Sequence, residues 1–288
     1  MHRVKLFMLI LLCISSMIVP TANANAGSDH VLILGVFPRR NAEDTFKSFK
    51  PLANYLSQQL GMQVRLETAK DFNAFWENVK NRRYDFVHFN QFHYVESHDK
   101  YGYDVIAKNE EFGKSTLASG LVVRKDSGIH SLTELKGKKI VFGGGKKAMV
   151  AYIGNTALLR RAGLKDGDYM EEFAKNPPNA TFATFYKQAD AGGIGDPGLK
   201  IPLVKKKIDT SKLTFLALGE DLPHIPWAVK HDMAPELKTK IQKLLLQLNN
   251  SETGKSILKQ AKLTGIVEAR DNDYDICRKV IKEVFDTK

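Results

Sequence analysis

Cysteine is scarce, with two among 288 residues, Cys13 and Cys277. That excludes a small disulfide-stapled scaffold. Proline (10) and glycine (21) hold ordinary shares, which excludes collagen-like and low-complexity chains. Long hydrophobic runs are missing too. The longest covers residues 6–19, about 14 residues against the roughly 20 that a spanning helix needs. No Gly-x-Ser-x-Gly elbow, His-Glu-x-x-His helix or reactive-cysteine setting occurs, so neither catalysis nor a cofactor is expected. What is present is a mixed composition, 43% hydrophobic with 43 Lys+Arg against 32 Asp+Glu, too apolar for a disordered chain. At this length one core is near its upper size, so two lobes are expected.

The first residues read as an export leader. Arg3 and Lys5 precede the apolar run, and Ala22, Ala24 and Ala26 supply a small-residue cleavage site after Ala24 or Ala26. The leader is placed at 1–26, and the remainder is expected to be soluble, periplasmic and monomeric. Removing Arg3 and Lys5 takes the formal charge from +11 to +9 and leaves Cys277 as the only cysteine once Cys13 is gone, so no intrachain disulfide is possible. A basic surface attracts anions. The lysine pairs and triplets, Lys205-Lys206-Lys207 among them, are short and dispersed, which argues against nucleic acid.

Short apolar runs alternate with helical patterns, the mark of an α/β fold with parallel strands. Strands are expected at 31–37, 64–67, 86–89, 117–123, 140–142, 215–218 and 227–229. Helices are expected at 45–60, from Asp71 as a cap with Phe72, Phe75, Trp76 and Val79 on one stripe, from 92, at 147–162 and at 181–188. A helical tail is expected at 235–248, 252–261 and 274–285. Ser131 and Glu134 suggest a capping box, Pro177-Pro178 a break, and Gly192, Gly193 and Gly195 a turn. Ligand sites in such sheets lie beyond the carboxyl ends of strands, which directs attention to 38–41, 90–94, 143–147 and 192–196.

These residues resemble a known family. FKPLANYLSQQLG (49–61), YDFVHFNQFHYV (84–95), LVVRKDSGIHSLTELKGKKIVFG (121–143) and LPHIPWAV (222–229) together are similar to the solute-binding proteins of phosphate, phosphite and phosphonate ABC transporters, over about 30–281. The resemblance implies a two-lobed type II periplasmic binding protein fold. Each lobe would be a mainly parallel sheet flanked by helices, with two crossing strands at the hinge, near 117–123 and 218–226. The lobes would be 27–118 with 224–288, and 119–223. It implies capture of a small oxyanion in the cleft for an ABC permease. The alternative is a sensing subunit that docks on a membrane signalling receptor with a different ligand. One departure stands out: where the family has a Ser/Thr-rich segment, this chain has Gly143-Gly144-Gly145-Lys146-Lys147. Backbone N–H groups at a helix start and two lysines remain there to hold an anion.

The candidate ligand contacts are therefore Gly144, Gly145, Lys146 and Lys147, with Asn90, Gln91, His93 and Tyr94 from the first lobe. Asn90 is equally suited to cap a helix, and Tyr94 to pack. Arg39 follows the first strand and could grip an anion in bidentate fashion or lie on the surface. Phe37, Tyr152 and Trp227 are pocket-wall or core aromatics. Asp190 and Asp196 could pair with an ammonium on a zwitterionic ligand or bond turn N–H groups. His224 could line the cleft or fix the hinge. His88, His93 and His98 do not form a metal pattern, since a spacing of five turns neighbours about 140° apart on a helix.

Overall fold

The computed structural model describes residues 31–38 and 42–286. The leader at 1–26 and Arg39 lie outside the described residues. Eleven strands among them form two sheets. The first runs in the order β11-β4-β10-β3-β1-β2, built from β1 (Leu32–Val36), β2 (Val64–Thr68), β3 (Phe86–His88), β4 (Tyr103–Glu110), β10 (Pro226–Lys230) and β11 (Gly265–Glu268). The second runs β7-β6-β8-β5-β9, from β5 (Thr116–Arg124), β6 (Lys139–Phe142), β7 (Met170–Phe173), β8 (Ala191–Gly195) and β9 (Leu213–Pro223).

Each sheet is mixed. The expected βαβ units supply the parallel parts, β2-β1-β3 and β7-β6-β8. The remaining pairs are antiparallel. They arise because the chain leaves the first sheet after β4, pairs β5 with β9 in the second, and returns as β10 between β3 and β4. The passages between sheets are residues 111–115 and 224–225, so the stretch 117–123 lies inside the second sheet and is not a crossing. The passages run side by side. His224 N–H donates to the Ser115 carbonyl at 2.9 Å and Asn109 N–H to that of Ile225 at 3.0 Å.

Helix α1 (Ala42–Leu60) packs with α7 (Pro235–Gln247) and α8 (Glu252–Ala261) on one face of the first sheet, burying Phe49, Leu52, Leu56, Ile241 and Leu258 around Trp227. On the other face α2 (Phe72–Lys80), α3 (Gln91–Tyr101) and α9 (Asp275–Phe285) share one core with the second sheet and α4 (Gly154–Arg161). Helix α5 (Pro177–Phe185) and α6 (Pro202–Lys207) cover the second sheet's far face. Helix α9 also clasps α4. The Arg161 guanidinium donates twice to Glu283 at 2.6 Å, and Arg160 to the Val284 carbonyl at 2.6 Å. Cys277 is fully buried, and burial pushes its thiol up to about 12.

Several local expectations change in the structure. Pro177 and Pro178 open α5 instead of breaking the chain, because proline's fixed φ and missing N–H suit a first helical turn; Asn176 caps it, accepting from Asn179 N–H at 3.1 Å. Glu134 bonds His130 N–H and the Ser131 hydroxyl, so no capping box forms at Ser131. The helix expected from 147 starts instead as a π-type turn, Met149–Ile153. The glycines expected as a turn form the central strand β8. A Cβ on Gly192 would sit 2.6 Å from Thr184 Oγ1, one on Gly195 2.8 Å from Val150 Cγ1, and one on Gly193 would meet the Phe142 ring and lie 2.7 Å from the Ala151 carbonyl oxygen. Glycine is required there for close packing, not for turning. Gly193→Ala should therefore destabilise the protein by about 2 kcal/mol through overpacking. A fall in urea midpoint at unchanged slope would register it; a midpoint like the parent's would mean the strand has room to relax.

Candidate ligand cavity between the two sheets

A cavity of about 420 Å³ lies where the loops after β1, β2, β3, β6, β7 and β8 converge. That is within the usual range for small-molecule sites. From the first lobe, Phe37 enters directly after β1. Asp71 caps α2 by accepting from Ala74 N–H at 2.8 Å, and this sets Phe72 and Trp76 against the cavity. Asn90 caps α3, its Oδ1 accepting from His93 N–H at 2.9 Å. The His93 ring then packs against Phe72, 5.8 Å between centroids and nearly parallel, and against Trp76 at 4.9 Å.

From the second lobe comes the glycine–lysine loop. Gly143 N–H donates to the Gly193 carbonyl at 2.9 Å, anchoring the loop to β8. A Cβ there would meet the Pro177 backbone. Gly144 has φ +148°, a conformation that side chains rarely adopt. Ala148 N–H closes the loop onto the Gly145 carbonyl at 2.8 Å. The N–H groups of Gly145, Lys146 and Lys147 find no acceptor among the described residues, leaving donors at the cavity wall where an anion would satisfy them. The lobes touch across this loop: Asn90 Nδ2 donates to the Lys147 carbonyl at 3.3 Å, and the Lys147 ammonium lies 5.4 Å from the Trp76 ring centre and 5.7 Å from that of Phe92. Lys146 leans to Glu171 at 3.3 Å.

The cavity's ionised lining is of one sign. Lys146, Lys147 and Lys175 line it, and no carboxylate does. His93 is 2% exposed and its Nδ1 has no partner among the described residues. Burial, aided by the Lys147 charge, pushes its pKa down to about 3, so the ring is neutral. A neutral imidazole has one N–H to offer, and His93 lines the cavity.

Of the residues singled out from sequence, Phe37, Asn90, Gln91, His93, Gly144, Gly145, Lys146 and Lys147 line the cavity together. Gln91 also ties the hinge, donating to the Pro223 carbonyl at 3.1 Å. The others among the described residues, Tyr152 included, do not line it. Tyr94 is fully buried, donates to Asp271 at 2.7 Å and accepts from Val105 N–H at 3.3 Å. Asp196 accepts from Ala118 N–H at 3.0 Å, and Asp190 likewise serves Lys139 N–H at 2.8 Å. His224 is fully buried in the second passage, its Nδ1 accepting from Ile225 N–H and its carbonyl from the Tyr274 hydroxyl. Trp227 lies in the first core, donating to Asn109. Among the described residues no group of three His, Cys, Asp or Glu could hold a metal ion, and no helix is long and apolar enough to cross a membrane. Sequence reasoning missed Phe72 and Trp76 as wall residues, treating them as a core stripe, and missed Lys175, Asn176 and Ile201. A helix start directly after β2, capped by Asp71, was the available signal.

Residues 34–274 match the ABC transporter, phosphonate, periplasmic substrate-binding protein family. Among solved structures, PhnD1 from Prochlorococcus marinus in complex with methylphosphonate is 19% identical, with a TM-score of 0.76, over 88% of this chain and 97% of that one. A binding protein component of an ABC phosphonate transporter from Pseudomonas aeruginosa is 17% identical, with a TM-score of 0.74, over 87% and 85%. A Xanthomonas citri protein bound to ATP is 17% identical, with a TM-score of 0.76, over 88% and 96%. At such identities the likeness is one of fold.

The buried His93 makes the ligand-free protein acid-sensitive. Its ring titrates near 6.5 when unfolded and near 3 when folded. The stability it contributes is complete above pH 6.5 and is lost as pH falls toward 3. Between pH 6.5 and pH 5 that loss is about 2 kcal/mol. His93→Phe, which keeps the ring packing, should flatten this part of a urea-stability profile; an unchanged slope would assign the acid sensitivity elsewhere.

Proposed function

The chain belongs to the periplasmic substrate-binding family of phosphonate ABC transporters, and on that premise we propose that it captures a phosphorus oxyanion in the cavity between its two sheets and delivers it to a membrane permease. The family is one of transport components and not of enzymes, and its place is the periplasm. The leader read at 1–26 would carry the chain there, and the lobe boundaries would fall at the two passages, near residues 111–115 and 224–225.

One observation carries the reading: at the cavity, unpaired N–H groups of a glycine–lysine loop meet three lysines and no carboxylate. A tetrahedral dianion supplies acceptors for those donors and charge for those ammonium groups. Closing the lobes around it removes water, which strengthens each bond. Asn90, Gln91 and His93 add side-chain donors from the first lobe. The hydroxyl-rich segment of other family members is replaced here by backbone and lysine, so the anion would be held by main-chain N–H groups and point charges.

The test is a thermal-shift panel of phosphate, phosphite, methylphosphonate and phenylphosphonate, with sulfate as control. A ligand at about 100 times its Kd adds roughly 2.7 kcal/mol, so at least one phosphorus oxyanion should raise the melting temperature well above the sulfate trace. Gly145→Leu should then weaken that ligand at least tenfold while leaving the ligand-free melting temperature within about 2 °C, because a Cβ at Gly145 meets open space. A panel with no response, or Gly145→Leu binding like the parent, would remove the loop from the site.

A further inference from the structure

We infer that the ligand's phosphorus carries an apolar, ring-sized substituent, so that the substrate class is aryl- or bulky alkyl-phosphonates or the matching phosphate monoesters. This rests on the reading of the cavity as a phosphorus-oxyanion site and goes beyond it by assigning the rest of the space.

Volume comes first. The cavity's 420 Å³ is room for about fourteen waters at roughly 30 Å³ each, and methylphosphonate fills on the order of a quarter of that. The lobes already touch beside this space. Asn90 already bonds the Lys147 carbonyl across the cleft, and the Lys147 ammonium already sits over Trp76 and Phe92. The space remains with the two lobes in contact.

The wall chemistry comes second. Beside the polar groups Asn73, Asn90, Gln91, His93, Lys175 and Asn176, the lining carries an apolar wall, with Phe37, Phe72 and Trp76 from the first lobe and Val150, Pro177 and Ile201 from the second. Phe72 keeps 40% of its surface exposed although it packs against Phe37 and His93. An exposed aromatic that lines a concave wall is a surface for a ligand group, since water there gains no hydrogen bonds.

Charge comes third. A substituent bearing an ammonium group, as in 2-aminoethylphosphonate, needs an acceptor or a carboxylate. Asp196, the acidic candidate between the lining residues Gly195 and Pro197, is turned to the Ala118 N–H instead, and Asp190 lies at the other end of β8. The lining supplies three lysines and no carboxylate to an incoming cation. An uncharged apolar substituent meets no repulsion from the three lysines.

Isothermal titration of the whole protein with phenylphosphonate, methylphosphonate, 2-aminoethylphosphonate and benzenesulfonate tests this. Phenylphosphonate should bind at least tenfold tighter than methylphosphonate, and 2-aminoethylphosphonate no tighter than methylphosphonate. Phe72→Ala, at a half-exposed position, should cut phenylphosphonate affinity at least fivefold while changing methylphosphonate less than twofold. Methylphosphonate equal to or tighter than phenylphosphonate, or equal losses for both in Phe72→Ala, would overturn the inference and leave the oxyanion reading standing. Benzenesulfonate binding as tightly as phenylphosphonate would keep the aromatic wall but sink the phosphorus reading. No binding of either phosphonate would overturn both.

Discussion

The buried amide of Asn155 reaches three carbonyls, those of Val150 at 3.1 Å, Ala151 at 3.0 Å and Ile194 at 3.1 Å. Two belong to the π-type turn and the third to strand β8, so one side chain fastens the turn to the sheet. The contact is possible because β8 carries glycine at 192, 193 and 195, which lets the Phe142 ring and the Val150 and Ala151 groups close on its backbone. Gly154 answers from the helix side, since a Cβ there would collide with Ser119. The loop 143–148 is strung between β6 and this fastened turn. Its shape, and with it the row of open N–H groups, follows from backbone packing and not from any side chain in the loop itself.

The two lobes contribute unlike chemistry. The second brings main-chain donors and flexible ammonium groups; the first brings rings and short amides held by helix caps. Asn90 shows how closely the two are joined, since its carbonyl oxygen caps α3 while its NH₂ group bonds the opposite loop. A capping residue is locked by its own helix and can present the other half of its amide with little rotamer entropy to lose. Lysine does the reverse. Lys147 keeps its ammonium over two rings, a modest attraction that a dianion readily outbids.

Much of this was legible in the sequence. Strong periodicity placed α1, α2, α7 and α8 to within a few residues, and the turn after a buried strand pointed to Asn90, His93 and the 143–147 loop. What was hidden has physical reasons. Strands β4, β7 and β11 are paired by residues far off in sequence and carry charged or amphipathic runs such as YDVIAKNE, which hold no clean alternation. A triple-glycine strand reads as a turn unless the side chains that crowd it are known. Tyr94, Asp196 and His224 had the right types at the right chain positions, but each has its polar atoms committed to local bonds, and type alone cannot reveal which way a side chain is spent. Phe72 and Trp76 show the opposite error, where a helix stripe served both core and cavity.

The placement of β10 bears on the order of events during folding. It sits between β3 and β4, inside the first sheet, yet is reached only after the whole second sheet has been traversed. The first lobe therefore has a gap at its centre until about residue 230 is available, and its last strand comes later still. Closing such distant pairs costs loop entropy before any contact repays it, which makes folding slow. For a member of a family whose place is the periplasm, slow folding would suit passage across a membrane. The amino-terminal half cannot complete a sheet by itself, so little compact structure stands in the way of passage.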